Sequence, residues 1–241
     1  RLGLTKNSSA LKINNKVIGQ DDAVEELINL SKRINVNFDS SCISILLCGK
    51  SGVGKTSIMR AFMNEVFIDS HLSTIGVDYR VKQIEVDGDI YKIQLIDTAG
   101  KEENILSNFK EYYRTANAFI CVFDVTEQID KVRENIRNAR NQILNQGFPA
   151  DSFLWVIAGN KIENSEERKT SVEQGQTLAS DFSSQFFEVS AKNNKYVNDL
   201  FQMTVKWVNE KTKDDYEAKA KRLLETNNKK KEDKKECCII F

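Results

Sequence analysis

Residues 43–57 constrain this chain more than any other stretch. An apolar run, Ile43 to Cys48, stops at Gly49; Lys50-Ser51-Gly52-Val53-Gly54-Lys55-Thr56-Ser57 follows, and a helical pattern then takes over. The spacing satisfies G-x-x-x-x-G-K-[ST] between a strand and a helix. Glycines at these positions let backbone N–H groups turn inward, and with the helix N-terminus behind them they form a cradle for a phosphate chain. Lys55 supplies a point charge to the outer phosphates, the Thr56 hydroxyl suits Mg²⁺, and Ser51, Gly52, Val53, Gly54 and Ser57 complete the cradle. A strand that feeds such a loop and then a helix is expected to open a parallel α/β sheet.

The rest of the chain keeps the alternation. Apolar runs at Phe119 to Val125, Phe153 to Ala158 and Phe186 to Val189 are separated by helical stretches near 105–116, 131–146 and 172–183, after a first helix at 55–65. Between Asp78 and Ile96 the pattern differs. Ile84 and Val86, then Asp87-Gly88-Asp89, then Tyr91, Ile93 and Leu95 predict a hairpin, and so one antiparallel strand at the edge of the sheet. A last helix at 197–210 carries Val197, Leu200, Phe201, Thr204 and Val208 at helical spacing, a stripe that packs on the core.

This divides the chain into a domain at 41–211 and two flanks. Residues 1–40 form an N-terminal extension with one amphipathic helix, Asp22 to Ile34, in which Val24, Leu27, Ile28 and Ile34 share a face. Residues 212–241 lose the apolar period and read as a charged, flexible tail. Basic and acidic residues are equal at 35 each, so no global field argues for nucleic acid as a partner. The five cysteines form no disulfide framework, which suits a reducing compartment. No apolar stretch approaches the roughly 18 residues needed to span a bilayer.

Four further segments agree with the phosphate loop. In His71-Leu-Ser-Thr-Ile-Gly-Val-Asp-Tyr79, Thr74 precedes a strand, where its hydroxyl is placed to reach a metal and its N–H the terminal phosphate. Leu95-Ile-Asp-Thr-Ala-Gly100 supplies Asp97 at a strand end, suited to an indirect metal contact through an intervening ligand, and Gly100, whose amide can meet the same phosphate. Ala158-Gly-Asn-Lys-Ile-Glu163 ends one strand with an amide, a cation and an acid, and Val189-Ser-Ala-Lys192 ends the next. Taken alone these residues have ordinary readings, Asn160 or Lys161 as turn residues and, seven positions before Thr74, Phe67 as core.

In this order and spacing the five motifs resemble those of the small GTPases of the Ras superfamily, and "IGVDY", "KIQLIDTAG", "YYRTANA" and "ICVFDVT" are similar to the Rab branch. The resemblance, from about Ile43 to Val208, implies a P-loop NTPase fold. That is a six-stranded, mostly parallel α/β sheet with helices on both faces, holding GTP or GDP with Mg²⁺ at the strand C-terminal ends. It implies that Thr56, Thr74 and Asp97 serve the metal, and that Lys55, Thr74 and Gly100 serve the phosphates. It implies further that Phe67, seven residues before Thr74, covers the guanine edge, that Asn160 and Lys161 frame the base, that Glu163 takes its N–H donors, and that the Ala191 amide, between Ser190 and Lys192, donates to O6. It also implies effector proteins, an exchange factor, a GTPase-activating protein, prenylation machinery and a dissociation inhibitor as partners. By the same resemblance the protein is expected to cycle between cytosol and the cytoplasmic face of intracellular membranes in vesicle-mediated transport.

The departures from the family pattern carry their own expectations. Lys101 occupies the position of the catalytic Gln; a protonated lysine only donates hydrogen bonds, so it cannot accept from the attacking water, and slow GTP hydrolysis is expected. Glu163 stands where the family has Asp, adding a methylene and weakening the grip on guanine. Ile96 replaces a tryptophan that Rab proteins present to effectors, so effector choice does not carry over. At the end, five lysines against three acids over 229–236 precede Cys237-Cys238-Ile-Ile-Phe241. Cys238 opens a C-a-a-X box whose final Phe favours geranylgeranyl, with Cys237 as a second lipidation site. Two alternatives stand beside this reading: a GTP-binding scaffold on membranes that does not hydrolyse at a useful rate, and a divergent AAA+ ATPase fragment, since Leu11 to Ile34 resembles the segment before the phosphate loop in that family.

Overall fold

The structure is a computed structural model that describes residues 42–67, 77–98 and 110–236. Residues 39–211 make one compact unit. The strands are β1 (Cys42–Cys48), β2 (Val77–Val86), β3 (Asp89–Thr98), β4 (Ala118–Asp124), β5 (Leu154–Asn160) and β6 (Gln185–Glu188). The helices are α1 (Lys55–Phe62), α2 (Lys110–Thr115), α3 (Ile129–Leu144), α4 (Val172–Asp181) and α5 (Val197–Glu236). The sheet order is β2-β3-β1-β4-β5-β6, with β2 antiparallel to β3 and every other pair parallel.

Why the runs became strands is visible in their two faces. Along β1, Ile43, Ile45 and Leu47 pack with α1 and α5, while Leu46 and Cys48 join Phe119, Cys121, Trp155 and Ile157 in a second core under α3 and α4. Strands buried on both faces read as continuous apolar runs, which is how β1, β4 and β5 appear in the sequence. The hairpin forms where expected: Asp87 and Gly88 both take positive φ, 53° and 91°, between the paired Val86 and Asp89.

The helices sit where period and caps dictate. In α3, Val132, Ile136, Ala139 and Ile143 are buried at helical spacing. A capping box starts α4: Gln174 N–H donates to Ser171 Oγ at 3.2 Å and Ser171 N–H to Gln174 Oε1 at 2.9 Å. Phe62 of α1 and Phe201 of α5 pack with ring centroids 4.0 Å apart and planes tilted by 35°. The first helix ends at Phe62 rather than 65. Of the 105–116 stretch, Lys110–Thr115 is helical and 105–109 lie outside the described residues. The last helix continues past the apolar stripe to Glu236. Residues 209–236 contain neither Gly nor Pro and are dominated by Lys, Glu and other good helix formers. No described helix is long and apolar enough to cross a membrane.

β1 is the strand beside which the chain order reverses, with β3 on one side and β4 on the other. Loops leaving the C-terminal ends of strands at such a point face a common crevice. Here those ends are Cys48, Thr98, Asp124, Asn160 and Glu188.

Candidate functional site

The loop between β1 and α1 is built by glycines with positive φ: 129° at Gly49, 83° at Gly52 and 99° at Gly54. Two of them also have no room for a side chain. A Cβ on Gly49 would lie 2.3 Å from the Val122 carbonyl oxygen of β4, and one on Gly54 would lie 2.3 Å from Asn160 Nδ2. Lys55 is buried, and its ammonium donates to the carbonyls of Gly49 at 2.7 Å and Lys50 at 3.0 Å. The charge thus sits inside the curl of its own loop, on the side where amides and helix dipole favour an anion.

Beside the loop, the Thr56 hydroxyl donates to a carboxylate oxygen of Asp97, which is fully buried near the end of β3. A hydroxyl and a carboxylate at one point are oxygen donors of the kind Mg²⁺ takes, one or two from protein and the rest from phosphate and water.

Asn160, at the end of β5, ties the loop to the base side. Its Nδ2 donates to Val53 O at 2.9 Å and its Oδ1 accepts from the Ala191 N–H at 3.1 Å, with the residue 1% exposed. Phe67, Ala191 and Lys192 line one cleft with Ser57 and Arg60. Ser190, also buried, accepts at its Oγ from the Asn193 N–H at 3.0 Å, which fixes the following turn. Lys161 takes a left-handed φ of 70°, and its ammonium pairs with Asp124 at 2.6 Å. Two residues on, Glu163 Oε2 is buried and accepts no hydrogen bond from the described residues. A buried acceptor with nothing to accept is costly unless a ligand brings donors, and a guanine edge with two parallel N–H groups fits it.

A family model described as the Ras family matches residues 44–210. The chain belongs to the Ras family of small GTPases, in its Rab branch. It is 36% identical over 161 residues to the GTP-binding protein yptV2 of Volvox carteri, covering 66% of this chain and 71% of that protein. It is 39% identical over 157 residues to the Ras-related protein Rab-8A of Gallus gallus, covering 65% and 73%. Against Rab-8A of Bos taurus it is 35% identical over 186 residues, 76% of this chain and 83% of that one.

Within this small GTPase the structure brings together Ser51 to Ser57, Phe67, Asp97, Asn160, Lys161, Glu163 and Ser190 to Lys192 at one end of the sheet. Thr74, Gly100, Lys101, Cys237 and Cys238 lie outside the described residues, as does the AAA+-like segment before residue 42. Ile96 is buried in the core rather than presented at the surface.

Two features escaped sequence reading. Lys50 pairs with Glu127 at 3.3 Å, a bridge from the phosphate loop to the turn after β4. Asp124 closes β4 as Asp97 nearly closes β3, so a strand-end acid in Phe123-Asp124-Val125-Thr126 was the signal that would have found it. Below the loop, Cys48 and Cys121 face each other across β1 and β4 with their sulfurs 3.0 Å apart. The bond to Cys121 and burial together push the Cys48 thiol up, away from the reactive thiolate form.

Proposed function

We propose that this Rab-branch GTPase is a GTP/GDP switch that binds guanine nucleotide with Mg²⁺ and hydrolyses GTP slowly. The observation that carries base choice is Glu163 Oε2, buried and without a hydrogen bond from the described residues, two positions beyond Lys161. A carboxylate there accepts from the N1–H and N2–H₂ of guanine, whereas at the same two positions adenine presents an acceptor, N1, and a C2–H.

Asn160 keeps Val53 of the phosphate loop and Ala191 of the base loop in one frame, so a nucleotide gripped at one end is presented at the other. Lys55 exchanges its loop carbonyls for phosphate oxygens as the ligand enters. Thr56 and Asp97 hold the metal site, and a bound Mg²⁺ supplies charge neutralisation at the outer phosphates. Thr74 and Gly100 complete the contact with the terminal phosphate, and Lys101 follows them where a water must be oriented. Lysine donates to that phosphate but cannot accept from the water, which slows turnover and favours the GTP-bound form.

By family the switch acts with effectors, an exchange factor, an activating protein and a dissociation inhibitor in vesicle-mediated transport. Geranylgeranyl groups on Cys237 and Cys238, with the lysines before them, would hold it at the cytoplasmic face of intracellular membranes. The test is the nucleotide that co-purifies with the full chain, followed by single-turnover hydrolysis of wild type and Lys101→Gln. Bound GTP, and a rate raised about tenfold or more by the glutamine, are expected. Bound adenine nucleotide would overturn the base assignment, and equal rates would overturn the role of Lys101.

A further inference from the structure

Asp124 lies at the end of β4 directly opposite Asn160 at the end of β5. Beyond that pair the ladder continues by one bond, Val125 N–H to Asn160 O at 3.0 Å. Both carboxylate oxygens of Asp124 are engaged. Oδ1 accepts from the Thr126 N–H at 2.9 Å and the Thr126 hydroxyl at 2.8 Å, and Oδ2 faces the Lys161 ammonium at 2.6 Å. The carboxylate therefore has one orientation, set by its own turn, and the lysine is drawn to it.

Lys161 needs such a holder. Its φ of 70° is a conformation that residues other than Gly adopt rarely and at a cost. A lysine side chain also gives up more rotamer freedom than most when fixed. From Lys161 the chain turns at once, Asn164 N–H donating to Lys161 O at 3.0 Å, and this turn carries Glu163. The side chains of the pair are 28% and 13% exposed, so solvent screens their attraction less than it does at a free surface.

We propose that Asp124 is a positioning residue for guanine recognition: by pinning the Lys161 ammonium it sets the turn at 161–164 and with it the aim of Glu163. The proposal rests on the guanine-nucleotide reading above. It does not place Asp124 in contact with the nucleotide; Asp124 acts through Lys161.

The test is a double-mutant cycle on release of fluorescent GDP from the full chain with Mg²⁺, using Asp124→Asn, Lys161→Met and the pair. Asp124→Asn is expected to speed release about tenfold in the wild-type background and less than twofold when Lys161 is already Met. Thr126→Val, which loosens the carboxylate while leaving its charge, should give a smaller acceleration that also vanishes with Lys161→Met; it keeps the test open if Asp124→Asn does not fold. Asp124→Glu should recover part of the lost grip. Equal acceleration in both backgrounds, or none in either, overturns the proposal. Wild-type protein that holds no GDP would instead bring down the nucleotide reading itself.

Discussion

The Asn160 side-chain amide donates to the Val53 carbonyl at 2.9 Å, so the tip of β5 holds the phosphate loop by a buried bond across 107 residues of chain. With the Ala191 N–H on its oxygen, the same amide joins three loops. Asn160→Ala leaves a buried carbonyl and a buried N–H without partners, a cost of about 1 to 3 kcal/mol for each. The expected outcome is a fall of several degrees in the unfolding midpoint together with faster GDP release, read by thermal unfolding and by nucleotide exchange. Exchange accelerated with an unchanged midpoint would show that Asn160 acts on the ligand alone.

The phosphate-loop glycines should rank by what surrounds them. Alanine at Gly52 meets nothing within 4 Å and suffers only its φ of 83°, a strain of about 1 kcal/mol. At Gly54 the new carbon meets Asn160 Nδ2, and at Gly49 the carbonyl of Val122 in the neighbouring strand, both at 2.3 Å. Backbone in a sheet yields less than a side chain, so stability is expected to fall in the order Gly52→Ala, Gly54→Ala, Gly49→Ala. Chemical denaturation of the three variants checks the order.

How much of this was legible beforehand follows from what each feature depends on. Strands β1, β4 and β5 were visible because burial on both faces writes an unbroken apolar run, and the hairpin because Asp87-Gly88 is the turn chemistry it requires. The phosphate loop was legible because its glycines are demanded locally, by φ and by close approach. Asp124 was not, because its meaning comes from Lys161, 37 positions on, and only the β4–β5 register puts them side by side. Lys50 with Glu127 was hidden for the same reason. The extent of α5 was hidden differently: beyond residue 208 propensity rather than an apolar stripe sustains it, and a charged run also reads as coil.

Asp124 also predicts an acid response. Burial pushes its carboxyl up, but the bonds from Lys161 and Thr126, with the lysine charge, outweigh that and hold it below the usual carboxylate range. A carboxylate depressed in the folded state lends stability that is fully present above its unfolded pKa of about 3.9 and lost as pH falls through the folded value. Asp124→Asn should therefore be less stable than wild type at pH 7, by about 1 kcal/mol for so partly exposed a pair. The deficit should shrink as pH drops below about 4. Urea unfolding at fixed GDP across pH 7 to 3 measures it, and a deficit that stays constant would remove the ion pair as its cause.

Glu163 sets stability against binding. Its Oε2 is buried and accepts no hydrogen bond from the described residues, a state that costs about 1 to 3 kcal/mol until a ligand supplies donors. Glu163→Leu is therefore expected to raise the unfolding midpoint in the absence of nucleotide while losing the preference for GDP over ADP, because the two guanine N–H groups would then face an apolar side chain. Glu163→Asp, one methylene shorter, keeps the charge and moves it closer to the backbone of the turn. It should slow GDP release several-fold if the longer side chain must now buckle to present both oxygens in parallel. The two variants separate the readings cleanly. A stabilised Leu variant that still prefers GDP would move base choice to another residue, and an Asp variant that releases GDP faster would mean that the turn is built to the length of glutamate.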